Sequence, residues 1–344
     1  MRTICVKGVR AALFVSACLS FAVPAVAQSV EWDVSLWGQR RAFTEHVEHL
    51  ARYVERATGG EFVLNLSYGE LSPNRENLDG IQAGRFEMAQ FCAGYHPEKN
   101  RAITALELPF LGVRTLGEEL AASRALYAHE AVVAEMAGWN AHLLMPTPLP
   151  QYNLVGGGTP PQDLNWLEGR AVRATGGIAR ALGQFGAETL SLTATETYDA
   201  LEGATLDAVA FAQHAHFSFD TISLARWWTT NLDPGSVNCP VVVNIDALDA
   251  LSDAHRAALD VGVERALDHY LRNYEDLILK WSEVLEVFGI TPVTFSDEEL
   301  ANLRAGSADL HAIWAEEVTQ AGLPADELVA TITAALEAHR QSVD

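Results

Sequence analysis

The chain has 344 residues, 49% of them hydrophobic, which is enough to bury the cores of two domains of ordinary size. Its 23 Lys and Arg stand against 45 Asp and Glu, a formal charge of −22, so its surface repels nucleic acid and anionic lipid. That acidity does not exclude an anionic small ligand, because a cleft can be locally positive.

The N-terminus carries Arg2, Lys7 and Arg10 and no acid, then an apolar run from Ala11 to Val23, then Ala25-Val26-Ala27. Basic, apolar and small residues in that order predict a secretory signal peptide over 1–27, cleaved before Gln28, and an exported, periplasmic product. The apolar run falls short of the roughly 20 residues a bilayer span needs, and no later segment reaches that length without charges. Cys5 and Cys18 leave with the leader. Cys92 and Cys239 remain, and two cysteines define no disulfide framework, so packed thiols are the default reading although an oxidising compartment would let them pair.

Trp32 to Leu36 alternates as an opening strand does, and Arg41 to Ala57 follows with Phe43, Val47, Leu50 and Val54 at helical spacing. Gly59-Gly60 stops that helix. Phe62 to Leu66 reads as a second strand, Arg75 to Ala83 as a helix and Phe86 to Phe91 as a third strand, an alternation that predicts a largely parallel sheet. After Pro109-Phe110-Leu111, Leu116 to Ala137 reads as one helix and His142 to Met145 as a strand. A second round begins at Leu167 with a strand ending at Arg173, a Thr175-Gly176-Gly177 turn and a helix to Phe185. A strand at Thr189 to Leu192, a helix at Glu196 to Leu201 and a strand at Asp207 to Phe211 complete it. Two similar α/β units in series imply two lobes around a cleft. Val241 to Asn244 is a further strand, and Ser252 to Val287 reads as one helix of roughly 50 Å, long enough to brace both lobes. Asp297 to Ser342 reads as two helices parted near Gly322-Leu323-Pro324.

The chain carries Leu78-Asp79-Gly80-Ile81-Gln82-Ala83-Gly84, Leu108-Pro109-Phe110-Leu111 and Leu167-Glu168-Gly169-Arg170-Ala171-Val172-Arg173. Glu196-Thr197-Tyr198-Asp199-Ala200-Leu201-Glu202-Gly203, Leu206-Asp207 and Val243-Asn244 follow. In this order and spacing they resemble the solute-binding proteins of TRAP-type (tripartite ATP-independent periplasmic) transporters, in the C4-dicarboxylate-like branch. The resemblance runs from about Trp32 to about His339. It implies a two-lobed α/β periplasmic-binding-protein fold with a ligand cleft between the lobes and a long bridging helix. It implies lobe I mainly in 28–150, lobe II mainly in 151–240, and in 241–344 a crossing strand, the bridging helix and helices packing on both lobes. The function implied is capture of a small organic acid for integral-membrane permease subunits, without a cofactor, a metal or catalysis.

The resemblance also implies that Arg173 forms the salt bridge to the ligand carboxylate. The chemistry agrees, since Arg presents a planar fork matched to a carboxylate and stays charged, and a strand end beside a turn into a helix is where open α/β sheets bind ligands. By family position Gln90 and Cys92 face the cleft, with Tyr95 just beyond. Trp37 replaces a small polar residue, and Phe211 stands where members often carry an asparagine. Members with acidic-sugar ligands place a second arginine where this chain has Gln151-Tyr152-Asn153, so a second fixed charge is missing there. Trp227, Trp228 and Asn238 lie where members contribute a wall. Trp37, Tyr152 and Phe211 would sandwich an apolar or aromatic body, which favours a monocarboxylate over a dicarboxylate.

The sequence offers an enzyme little. His46 and His49, three apart on a helix with only Glu45 and Glu48 beside them, make no zinc site. His214 and His216 alternate along a possible strand, where a satisfied pair is the expected role. No Gly-x-Ser-x-Gly elbow occurs, and Gly156-Gly157-Gly158 lacks the lysine of a phosphate loop and reads as a flexible turn. An ATP-driven importer or a sensor kinase would be served by the same lobes, and only the outer partner surface would differ.

Overall fold

A computed structural model describes residues 29–343, so the expected leader over 1–27 lies outside the described residues. Among the described residues eleven strands form two sheets. They are β1 (Val30–Leu36), β2 (Phe62–Tyr68), β3 (Met88–Gln90), β4 (Ala141–Met145), β5 (Asn153–Gly156) and β6 (Ala171–Arg173). The rest are β7 (Glu188–Leu190), β8 (Ala208–Phe211), β9 (Trp227–Thr229), β10 (Val241–Asn244) and β11 (Thr291–Val293). The first sheet has the order β2-β1-β3-β10-β4 and the second β11-β9-β5-β8-β6-β7.

Each sheet is mixed rather than largely parallel. β1 pairs in parallel with β2 and β3, and β6 with β7 and β8, as the strand and helix alternation requires. β10 lies antiparallel between β3 and β4, and β5 antiparallel between β8 and β9. Each of these two strands enters its sheet directly from a strand of the other lobe, β4 into β5 and β9 into β10. No crossover helix reverses the chain, so the entering strand runs against its neighbours. β5, β9 and β11 escape sequence reading because they are three- or four-residue strands with no alternation to betray them.

The bridging helix spans Asp253–Val287, with the Ser252 hydroxyl accepting from the His255 N–H at 3.2 Å as its N-cap. Leu259, Val263, Ala266 and Leu267 pack into the first lobe with Val34, Val47, Leu50 and Phe62. Trp281 and Leu285 pack into the second with Val155, Ile222, Trp228 and Ile290. Between them Tyr270 and Tyr274 lie under the cleft. The helix is therefore apolar toward one lobe in its first half and toward the other in its second.

Two expected helices are broken. Leu116–Tyr127 and Glu130–Ala137 are separate, because His129 adopts an extended backbone and its ring Nδ1 accepts from the Ala131 N–H at 3.2 Å, capping a new helix. The tail holds three helices, Asp297–Gly306, Asp309–Gln320 and Ala325–Val343, with the additional break at Ser307. Trp314, Val318, Leu328, Ile332 and Leu336 carry this tail back onto the first lobe.

Candidate functional site

Arg173 closes β6 at the carboxyl edge of the second sheet, level with Val209 of β8 and Leu190 of β7. The chain must then turn sharply, and Gly176 does so with φ of +56°, a conformation that favours glycine. Any Cβ at Gly176 or Gly177 would also overlap Glu107. The Arg173 side chain is 2% exposed and lies with its Cζ 4.5 Å from the centre of the Phe211 ring. Its Nε donates to the Leu192 carbonyl at 2.9 Å and its Nη1 to the Ala210 carbonyl at 3.0 Å, while Nη2 lies 3.5 Å from the Tyr95 hydroxyl. Backbone carbonyls thus fix the guanidinium in place without neutralising it.

The cavity Arg173 lines is formed from both lobes. The first supplies Trp37, Arg41, Phe43, Cys92 and Tyr95, and the second Ala194, Phe211, His214 and Phe219. Tyr152 and Cys239 come from the segments crossing between the lobes. The rings form a continuous wall. Trp37 stacks on Phe219 at 9° with centroids 6.2 Å apart, Phe219 meets Phe211 at 5.9 Å, and Phe43 meets Trp37 at 5.2 Å. The cavity is nearly closed, with about 20 Å³ or room for roughly one water, so the walls must part to admit a ligand. No carboxylate side chain lines the cavity among the described residues.

Of the residues expected at the site, the structure brings together Arg173, Trp37, Cys92, Tyr95, Tyr152 and Phe211. It does not bring Gln90, Asn153 or Asn238 there. Gln90 is fully buried and gives its Nε2 to Thr147 Oγ1 at 2.8 Å. Asn153 bonds Asp233 and Thr229 and lines a separate groove with Trp228. Asn238 receives the Tyr127 hydroxyl at 2.9 Å, and its own N–H goes to Glu107. Each is held by a partner away from the cavity, although the Gln90 Oε1 is buried without one. Trp227 is likewise committed to the core, its ring N–H donating to Gly157 O at 2.9 Å and its ring filling the space that a Cβ at Gly156 would need. Gly156 is thus a strand glycine in β5 rather than part of a flexible turn.

Cys92 and Cys239 are joined by a disulfide, which corrects the expectation of packed thiols. They face each other across the antiparallel β3 and β10 edge, where Phe91 N–H bonds Pro240 O and Ala93 N–H bonds Asn238 O. Only that pairing, across 147 residues of sequence, makes them neighbours. His214 and His216 also differ from expectation, since they sit on a helix, Gln213–Ser218, and not a strand. Residues two apart on a helix diverge: His214 reaches the Tyr274 hydroxyl at the cavity wall, and His216 bonds Thr221 at 2.9 Å. Burial pushes the His216 ring to about 3 and His214 well below the usual range, so both are neutral. His46 and His49 diverge as well, to Thr147 at 3.0 Å and to a stacked His269.

Arg41 lines the cavity, as Phe43 and Phe219 do, although sequence reading did not place it there, because it looked like the first residue of an amphipathic helix. It is instead extended, preceding a short 3₁₀ turn, and 8% exposed. Its Nη1 donates to Trp37 O at 2.8 Å and Gln39 O at 2.6 Å, and its Cζ lies 4.2, 4.6 and 5.3 Å from the ring centres of Trp37, Phe43 and Phe219. Burial lowers it to about 10, so it stays charged at neutral pH. Behind the wall, Glu107 accepts from the N–H groups of Gly94 and Asn238, each at 3.0 Å, and burial pushes its carboxyl up to about 7.

A family model described as bacterial extracellular solute-binding protein, family 7 (DctP), matches residues 34–317. The chain is similar to an outer membrane transporter protein, TsaT, of Comamonas testosteroni, 22% identical over 300 residues, 86% of this chain and 87% of that protein. It is also similar to the structure of a TRAP solute binding protein specific for aromatic acid ligands, from an unidentified microbe of a marine metagenome, in complex with 3-hydroxybenzoate. There the TM-score is 0.81 at 18% identity, over 91% of this chain and 99% of the other. A TRAP solute binding protein from Rhodoferax ferrireducens, in complex with copurified benzoate, gives a TM-score of 0.82 at 16% identity, over 92% of this chain and 100% of the other. At such identities the likeness is one of fold.

Proposed function

We propose, from the premise that the chain belongs to the bacterial extracellular solute-binding proteins of family 7, that it captures a small organic monocarboxylate with an aromatic or apolar body and delivers it to the membrane subunits of a TRAP transporter. The observation that carries the ligand class is the cavity itself: fixed guanidinium groups enclosed by Trp37, Phe43, Phe211 and Phe219, with no lining acid among the described residues. A buried cation without an anion costs several kcal/mol, and a ligand carboxylate removes that cost where a neutral ligand does not. The aromatic faces give a flat ring apolar contact, and the polar groups lie around Arg173 and Tyr95. The benzoate and 3-hydroxybenzoate held by the two structural neighbours are of that chemistry.

In this reading Arg173 is the carboxylate partner, Tyr95 and Tyr152 border the polar end, and Trp37 and Phe211 cover the ring. The leader expected over 1–27 directs the chain to the periplasm, where the two lobes close on the ligand about the crossing segments. No helix among the described residues is long and apolar enough to cross a membrane, which suits a receptor that meets its permease from outside.

The test is a thermal-shift and calorimetric titration of the mature protein against benzoate, hydroxybenzoates and aliphatic acids, with benzamide and neutral sugars as controls. A saturable rise in Tm with the aromatic acids, absent with the neutral compounds, is the expected result. Arg173→Ala should then cost roughly 2 to 5 kcal/mol of binding, the loss typical of one partner of a buried charge pair. A response to sugars alone, or undiminished acid binding by the Arg173→Ala variant, overturns the assignment.

A further inference from the structure

Arg173 is not the only cation in the cavity, and it is not the one with its fork free. Both edges of its guanidinium are partly engaged, Nε by Leu192 O and Nη1 by Ala210 O. Arg41 is different. Its two backbone acceptors both take Nη1, and its Nε and Nη2 are buried with no partner. Those two nitrogens form the side edge of the guanidinium, which matches the two oxygens of a carboxylate. Buried donors left unbonded are costly, and a fold that keeps two of them on one edge, beside a cavity, is arranged for an acceptor that is brought to it.

Arg41 belongs to the segment that follows β1 in the first lobe, and Arg173 to β6 in the second. Tyr152 lines the same cavity as both; burial holds its phenol above the usual range, and the two guanidinium groups act against that rise. Among the described residues neither arginine forms an ion pair. Glu107 is turned to the Gly94 and Asn238 N–H groups behind the wall, and Glu196, whose carboxyl is lowered first by Thr193 and also by Arg173, accepts through its Oε2 from the Thr193 N–H and hydroxyl. Arg41 is also held at the junction of the lobes, since Phe219, on which it stacks, belongs to the second lobe, and neighbouring Gln39 donates to Ser218 O there.

We propose that Arg41 is a second ligand-binding residue: the side edge formed by its Nε and Nη2 receives the ligand carboxylate opposite Arg173, so that one carboxylate ties the two lobes together. This rests on the carboxylate-capture reading and adds to it the residue through which ligand charge is coupled to closure. An acid is then distinguished from its amide by Arg41 as well as Arg173, because an amide offers one acceptor where the two cations need two negatively charged oxygens.

The experiment measures Kd for benzoate and for benzamide by calorimetry on the mature wild type, Arg41→Gln and Arg41→Lys, with the thermal unfolding of each unliganded variant recorded alongside. Wild type should prefer benzoate, and Arg41→Gln should weaken benzoate by roughly thirtyfold or more while changing benzamide little, so the preference collapses. Arg41→Lys keeps the charge and the stem and so guards against misfolding; losing the fork, it should still weaken benzoate by about tenfold. If either folded variant binds benzoate as wild type does, or if benzoate and benzamide weaken in equal proportion, Arg41 is a packing residue and the inference falls. If wild type binds neither benzoate nor any other carboxylate, the capture reading itself fails, and that result is distinct from both.

Discussion

Glu107 is a carboxyl buried just outside the cavity wall, and its titration is tied to folding. It is 2% exposed, two backbone N–H groups hold its Oε1, and its Oε2 has no partner. Desolvation raises it from 4.5 to about 7, and the same cause raises Glu119, whose proximity adds like-charge repulsion, to about 8. A carboxyl raised on folding binds its proton more tightly in the native state than in the unfolded one. The native state is therefore favoured at low pH, and that advantage is lost as pH rises from about 4.5 to about 7. Glu107→Gln keeps an acceptor oxygen for the Gly94 and Asn238 N–H groups and removes the penalty of ionisation. We expect the variant to be more stable than wild type at pH 8, by up to about 3 kcal/mol, and nearly equal to it at pH 4. Thermal unfolding at the two pH values checks this, and a constant difference would exclude titration of Glu107 as its origin.

At the scale of elements, the disulfide joins the end of β3 to the start of β10 and forms part of the cavity wall. The bond closes a segment of 147 residues that contains most of the second lobe. In the chain-entropy view such a closure destabilises the unfolded ensemble by about 5 kcal/mol. Replacing both Cys92 and Cys239 by Ser should lower Tm by many degrees and weaken ligand binding only modestly, since β10 keeps its pairing with both β3 and β4. Calorimetric unfolding and a benzoate titration of the double variant measure both effects, and an unchanged Tm would show the crosslink to be structurally redundant.

The whole molecule is two sheets joined by crossing segments, with the helix Asp253–Val287 packed on both. Few direct hydrogen bonds tie the mouth of the cleft. Arg75 of the first lobe donates through Nη2 to Ser191 O of the second at 2.7 Å, and the Asn74 amide reaches Thr195 at 3.3 Å. Exposed bonds of this kind contribute on the order of 1 kcal/mol, so they bias closure without enforcing it. Arg75→Ala should shift the unliganded protein toward open forms and weaken ligand by a few fold, as expected when the binding-competent state becomes less populated. Small-angle scattering with and without ligand is the measurement. A larger unliganded radius that returns to the wild-type value on saturation is the expected result, and identical unliganded profiles would exclude a latch.

The reading of alternating strands and helices recovered both α/β units and the bridging helix, because those features follow from local periodicity: two for a strand, near 3.6 for a helix. The place of Arg173 at a strand end before Thr175-Gly176-Gly177 was legible too, since it is a local signal. What only the tertiary structure decided is whatever depends on two distant segments meeting. The antiparallel entry of β5 and β10, the Cys92 to Cys239 bond and the turning away of Gln90, Asn153 and Asn238 are all of this kind. Arg41 is the sharpest case. In sequence it is one arginine at the head of an amphipathic helix, and only the closing of the second lobe over it, with Phe219 against its face, makes it a buried cation with a free fork. Local spacing encodes the elements, whereas burial and the absence of a countercharge are properties of the packed pair of lobes.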